Sequence, residues 1–129
     1  MSPMPHPPPI LIDADKLSFF ESLAEGLETR FPDLADRFLE ELSRAEIRPA
    51  GKMPADVVDL GRQVTYVDET TGREQTITLV RPEEADITSG RAAVNTPVGI
   101  ALLGLRKGAS FNWQARDGRD HQLKILAVN

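Results

Sequence analysis

The side chains with the clearest capacity for chemistry are three carboxylates near a bend in the N-terminal half, Glu25, Glu28 and Asp33. Glu25 and Glu28 fall one helical turn apart, on the same face of a helix that carries both. Hard cations take carboxylate oxygens as ligands. Asp33 directly follows Pro32 and equally suits the first turn of a helix. The two histidines offer less. His6 lies in a run of prolines and His121 begins a strand-like segment. Neither has a carboxylate or a second histidine at ligand spacing, so both read as solvated or packed side chains. The chain has no cysteine, which removes disulfides, thiol redox chemistry and every cysteine-based zinc site. With no Ser/His/Asp pattern, phosphate-cradling glycine loop or zinc signature, no catalytic residue, metal site or cofactor is assigned.

The elements that must position these groups differ between the two halves. From Asp13 to Ile47 the apolar residues recur at helical spacing: Leu17, Phe20, Leu23, Ala24 and Leu27, then Leu34, Phe38, Leu42 and Ala45. This predicts a short antiparallel helical hairpin over residues 13–48, with Gly26 and Pro32 bracketing its bend and Asp13 or Asp15 capping its first helix. Five prolines among the first nine residues disfavour helix and predict a flexible tail over residues 1–12. Pro49, Gly51 and Pro54 mark a linker over residues 49–55.

Beyond the linker the apolar spacing changes to twos. Val64 and Tyr66 face Thr76, Thr78 and Val80 across the turn Thr70-Thr71-Gly72-Arg73. Phe111, Trp113, Leu123 and Ile125 flank Arg116-Asp117-Gly118-Arg119, and Asp-Gly is a strong hairpin signal. Between the two hairpins, Thr96 can cap a short apolar helix, with Pro97 at its first position and Gly104 at its end. A helix that short needs a sheet to lie against, which makes residues 56–129 an α+β domain.

Composition narrows the function classes. At 129 residues the chain suits one ordinary domain or two very small modules. Aromatics are only 5%, so the core must rest on aliphatic side chains. A formal charge of −5 argues against direct, sequence-specific nucleic-acid binding, which needs a dense Lys/Arg surface, and favours a basic protein surface as partner. The opening MSPMPHPPPILI lacks the basic and long apolar regions of a secretory signal, and no run of apolar residues is long enough to span a membrane. A soluble, cytoplasmic protein is the expectation.

The order of pieces in the second half resembles the C-terminal domain of the Gre transcript-cleavage factors. The resemblance rests on Glu84-Ala85-Asp86, on Asn95-Thr96-Pro97-Val98-Gly99 and on Ala101-Leu102-Leu103-Gly104 with Gly108. The run from Thr96 to Gly108 is similar to that family's Ser-Pro-Leu-Gly-x-Ala-Leu-Leu-Gly-x-x-x-Gly segment, with Thr and Val in place of Ser and Leu. Met53-Pro54-x-Asp56-Val57-Val58 is similar to the opening of the corresponding domain in the regulators of nucleoside diphosphate kinase, members of the same superfamily with a short hairpin.

The resemblance implies an FKBP-like antiparallel sheet with one short helix, and binding to bacterial RNA polymerase core near the rim of its secondary channel. It places the polymerase contact on the loop before the short helix: Asn95, Thr96, Pro97 and Val98, with Gly99 and Ala101 beside them. Glu83, Glu84 and Asp86 form a solvated charge run, or face basic groups on the polymerase. Long-hairpin Gre factors use two acidic residues at the tip to help hold a metal ion at the polymerase active centre. Here the corresponding region offers Glu25, Glu28 and Asp33. Helices of ~14 residues reach only about 20 Å at ~1.5 Å per residue, which favours a noncatalytic regulator that competes with Gre factors. The alternative is a transcript-cleavage stimulating elongation factor. A peptidyl-prolyl isomerase is the third reading, suggested by fold alone, and the few aromatics weigh against the lined pocket such enzymes need.

Overall fold

The computed structural model describes residues 9–114 and 120–129, with residues 113 and 114 described by backbone alone. Strand β1 (Leu11–Asp13) leads into helix α1 (Leu17–Leu27) and, after a bend, helix α2 (Pro32–Ser43). Strand β2 (Glu46–Arg48) then pairs with β1 in parallel. Pro32 stands at the first turn of α2, where its missing amide hydrogen costs nothing, and Asp33 adds a favourable charge beside it. Of the residues in the predicted stripes, Phe20, Ala24, Leu27, Phe38 and Leu42 are buried and Leu17, Leu23, Leu34 and Ala45 are half-buried, while Ala35, which the spacing does not single out, is buried as well. The Phe20 and Phe38 rings meet with centroids 6.2 Å apart.

The second half builds a five-stranded sheet in the order β5-β4-β3-β7-β6. Its strands are β3 (Gln63–Asp68), β4 (Arg73–Val80), β5 (Arg91–Ala93), β6 (Ser110–Gln114) and β7 (Asp120–Val128), with helix α3 (Pro97–Leu102) between β5 and β6. The β3–β4 hairpin turns where expected, with Gly72 at φ +77° and the Gly72 amide donating to the Asp68 carbonyl at 2.7 Å. The Asp117-Gly118 turn and His6 lie outside the described residues.

Three expectations need correction. The sheet is mixed and not purely antiparallel, because β5 runs parallel to β4, with Leu79 opposite Ala92. The chain leaves β4 through 3₁₀ turns at Pro82–Glu84 and Ile87–Ser89, and this detour brings it back alongside Thr78–Val80, the end of β4, running in the same direction, where a tight hairpin would have reversed it. The tail does not extend to residue 12: Ile10, Leu11 and Ile12 are all buried, as three consecutive apolar residues beside a core would be. Neither Asp13 nor Asp15 caps α1. Lys16 holds that position, while Asp13 Oδ1 accepts from the Asp15 amide at 2.8 Å.

The two halves share one core. Phe20, Phe38 and Leu42 of the helix pair belong to the same buried cluster as Leu79, Leu102, Leu105 and Ile125. The Leu11 amide donates to the Gly104 carbonyl at 3.0 Å. Lys16 Nζ donates to the buried Asp59 carboxylate at 2.9 Å. The Arg81 guanidinium lies 4.9 Å from the centre of the Phe19 ring, a cation–π contact. Residues 49–55 therefore join parts that pack on each other directly.

Candidate partner-docking site

The loop before α3 is rigid because its polar groups are satisfied locally. Thr96 has extended backbone, φ −101° and ψ 163°; its Oγ1 accepts from the Gly99 amide at 3.3 Å and donates to the Ala93 carbonyl at 2.7 Å. Pro97 follows at the first helical position and is exposed, while Asn95, Thr96, Val98 and Ala101 are half-buried. Gly99 is buried, and a Cβ there would sit 2.3 Å from the Ala93 carbonyl oxygen. It lets α3 approach the end of β5, and so sets the height at which Pro97 and Val98 stand.

Val98 also forms part of a cavity of about 370 Å³ on one face of the sheet. Alternation brings Tyr66 and Asp68 of β3, Gln75 of β4, and His121 and Leu123 of β7 to this cavity. Tyr66 stands opposite Gln75, and its hydroxyl donates to Gln75 Oε1 at 2.9 Å. Asp68 stands opposite Leu123, which places His121 diagonally across from it. His121 Nδ1 and Asp68 Oδ2 are 2.7 Å apart. Burial pushes the Asp68 carboxyl up, but the hydrogen bonds from His121 and the Thr70 and Thr71 amides, with the charge of His121, outweigh it and hold the group below the usual carboxylate range. Burial, followed by the negative charge of Asp68, pushes the Tyr66 phenol above its ordinary value.

Sequence reasoning missed this pair, since it looked for a carboxylate near His121 along the chain, and Asp68 is 53 residues away. The pairing of β3 with β7 is the missing link.

Glu25, Glu28 and Asp33 sit on the other half of the molecule, in the last turn of α1, at its C-cap and in the first turn of α2. All three are exposed, as is Phe31 between them. The structure does not draw them into a ligand set: no group of three His, Asp or Glu side chains able to hold a metal ion occurs among the described residues. Glu83 and Glu84 are exposed in the 3₁₀ turn after β4, and Asp86 is committed to its own loop through Thr88 and Ser89. Among the described residues no helix is long and apolar enough to cross a membrane.

The family model described as Transcription elongation factor, GreA/GreB, C-term matches residues 53–129. The Transcription elongation factor GreA of Azorhizobium caulinodans is 40% identical over 90 residues, 70% of this chain and 53% of that protein, so the chain spans about half the length of this relative. The regulator of nucleoside diphosphate kinase of Escherichia coli K12 is 35% identical over 95 residues, 74% of this chain and 70% of that one. The solved structure of the prokaryotic transcription elongation factor GreA/GreB from Nitrosomonas europaea superposes with a TM-score of 0.73 at 32% identity, covering 95% of this chain and 98% of that one. A family model that matches residues 53–129, together with a relative 35% identical over 70% of its own length, gives the assignment: the chain belongs to the GreA/GreB transcription elongation factor family, matched through its C-terminal domain.

Proposed function

We propose that this protein is a transcription regulator that binds bacterial RNA polymerase core and docks near the rim of the secondary channel without catalysing RNA cleavage. Asn95, Thr96, Pro97 and Val98 make the contact, with Gly99 and Ala101 setting its shape, on a domain we read as FKBP-like. A segment already fixed by its own hydrogen bonds loses little entropy on binding. The observation that carries the noncatalytic part is the length of the helices, 11 and 12 residues. At ~1.5 Å per residue they extend only about 18 Å, so a hairpin of this size occupies the channel mouth and competes there with Gre factors.

The second reading, a transcript-cleavage stimulating factor, draws on the 40% identity to a GreA. It requires Glu25, Glu28 and Asp33 to reach the polymerase active centre, and it predicts trimming of backtracked RNA that disappears when all three become alanine.

Competition binding separates the readings. The full chain should bind core RNA polymerase and displace a Gre factor, and Pro97→Asp, a change at an exposed site, should weaken this without unfolding the protein. Binding without displacement, or no binding, refutes the proposal; cleavage by the wild type, lost in the triple alanine variant, establishes the second reading.

A further inference from the structure

We propose that Ile87 is a second anchor for the same partner, filling an apolar pocket on the polymerase that is rimmed by basic side chains. The inference rests on the polymerase-binding reading and adds a contact to it. Ile87 is 92% exposed, against 56% for Phe31 and 42% for Ile47, the other large apolar side chains found exposed among the described residues. A single apolar side chain on a surface is ordinary. What separates Ile87 is that the loop beneath it is fully organised while the side chain contributes nothing to the core.

Asp86 does most of that organising. Its Oδ1 accepts from the Thr88 amide at 3.1 Å and from the Thr88 hydroxyl at 2.6 Å, and its Oδ2 accepts from the Ser89 hydroxyl at 2.8 Å. Arg91 Nη2 lies 3.7 Å from Oδ2. The backbones of Asp86 and Arg91 exchange both hydrogen bonds, at 3.0 and 2.9 Å, and Gly90 closes the loop at φ +73°. A loop so fixed presents Ile87 in one position, and burying that side chain on a partner is worth roughly ten- to a hundredfold in affinity.

Charge sets the chemistry of the pocket. Glu83 and Glu84 are exposed and enter no ion pair found among the described residues, and with Asp86 they outnumber the two cations of the same segment, Arg81 on the Phe19 ring and Arg91 beside Asp86. The apolar tip therefore carries a net negative collar, complementary to an apolar pocket edged with Lys or Arg. The chain from Ile87 to Pro97 is short enough for one contact to reach both. The ten residue steps from Ile87 to Pro97 span at most about 33 Å at ~3.3 Å each. A partner face of about 800 Å² is itself about 32 Å across.

The test uses the full chain and core RNA polymerase, comparing wild type, Ile87→Ser, Glu83→Gln with Glu84→Gln, and Pro97→Asp. Ile87→Ser should weaken binding about tenfold or more while leaving the melting temperature unmoved, and the double glutamine variant should flatten the salt dependence. Wild-type affinity in Ile87→Ser, with Pro97→Asp still impaired, overturns this inference and leaves the polymerase reading standing. If Ile87→Ser instead changes the self-association of the free chain and not its polymerase affinity, the occupant is a second copy and the inference fails. No polymerase binding by the wild type removes both.

Discussion

Asp68 and His121 meet at 2.7 Å in the wall of the cavity that Val98 also lines, although 53 residues separate them. Their contact ties β3 to β7 on the face of the sheet that Val98 shares. The side chains are 20% and 13% exposed, so water reaches the pair but does not surround it. Removing either side chain therefore alters both a β3–β7 cross-strand contact and the lining of the cavity.

The first prediction concerns acid. The Asp68 carboxyl is held below its ordinary value in the fold, with the hydrogen bonds and charge from His121 and the Thr70 and Thr71 amides prevailing over burial. A group depressed in this way adds stability that is present above its unfolded pKa and is lost as pH falls through the folded one. Wild-type stability should decline below about pH 4. Asp86, held low by the Thr88 and Ser89 hydroxyls, adds to the decline in any variant that keeps it. Denaturation midpoints from pH 7 to pH 3 should therefore show a shallower acid slope for Asp68→Asn than for wild type. Equal slopes would mean that the pair adds nothing at neutral pH.

A second measurement isolates the same carboxylate. Tyr66 is the sole tyrosine, so alkaline absorbance titration reports it alone. It should ionise above the ordinary phenol value, because it is buried and then because Asp68 is negative. Asp68→Asn removes the second cause and keeps the first, so the midpoint should move part of the way down. A midpoint that does not move would show that the charge is not felt at the phenol.

How much of this was legible depended on the range of each interaction. The α3 start was readable because its determinants are adjacent: Thr96 caps, Pro97 occupies the first position, and Gly99 supplies the amide. The stripes through Phe20 and Phe38 were readable because a helix repeats its own contact every turn. Strand β5 was not, since Arg91–Ala93 is three residues long and its parallel pairing depends on the loop that returns it. Strand β1 was hidden by the prolines before it, although Ile10, Leu11 and Ile12 were apolar enough to give it away. The Asp68–His121 pair depends on a β3–β7 register that shifts between Thr65 and Tyr66, and no local pattern encodes such an irregularity.

Thr96→Ala should lower stability by about 1 kcal/mol, the usual worth of an N-cap, because the Gly99 amide loses its side-chain acceptor and the Ala93 carbonyl its donor. Thr96→Ser should restore most of it, since the hydroxyl is what bonds. Urea unfolding of the three proteins checks this. A loss in Thr96→Ala that Ser does not recover would assign the effect to the methyl group.

Glycine replacements should sort by what a Cβ meets. Gly72→Ala is strained by φ +77° but enters open space, and should cost about 1 kcal/mol. Gly99→Ala drives a Cβ to 2.3 Å from the Ala93 oxygen, and Gly104→Ala, at φ +83°, reaches Ile10 Cβ at 2.8 Å and the Leu11 oxygen at 2.9 Å. Each should cost about 2–3 kcal/mol, since backbone must move. Thermal melting will reverse this order only if α3 and β1 yield more easily than the β3–β4 turn.

The final prediction tests whether the helix pair is held at a set orientation. Asp59 is 4% exposed, and its carboxylate takes both Lys16 Nζ at 2.9 Å and the Leu60 amide at 2.8 Å. Asp59→Ala leaves the Leu60 amide without its side-chain acceptor and the Lys16 ammonium with only Asp13 Oδ2 at 4.0 Å and water, and should cost about 1–3 kcal/mol. Lys16→Met keeps much of the apolar stem but leaves the buried Asp59 carboxylate with the Leu60 amide alone, and should cost at least as much, because the Lys16 ammonium that Asp59→Ala leaves behind is partly exposed and can be hydrated. Amide exchange gives the decisive readout. If the ion pair seats the helices on the sheet, exchange in Asp59→Ala should quicken in β1 and the first turn of α1 before it does in β3 and β7. Uniform acceleration would mean that the pair supports the whole fold and does not steer the helices.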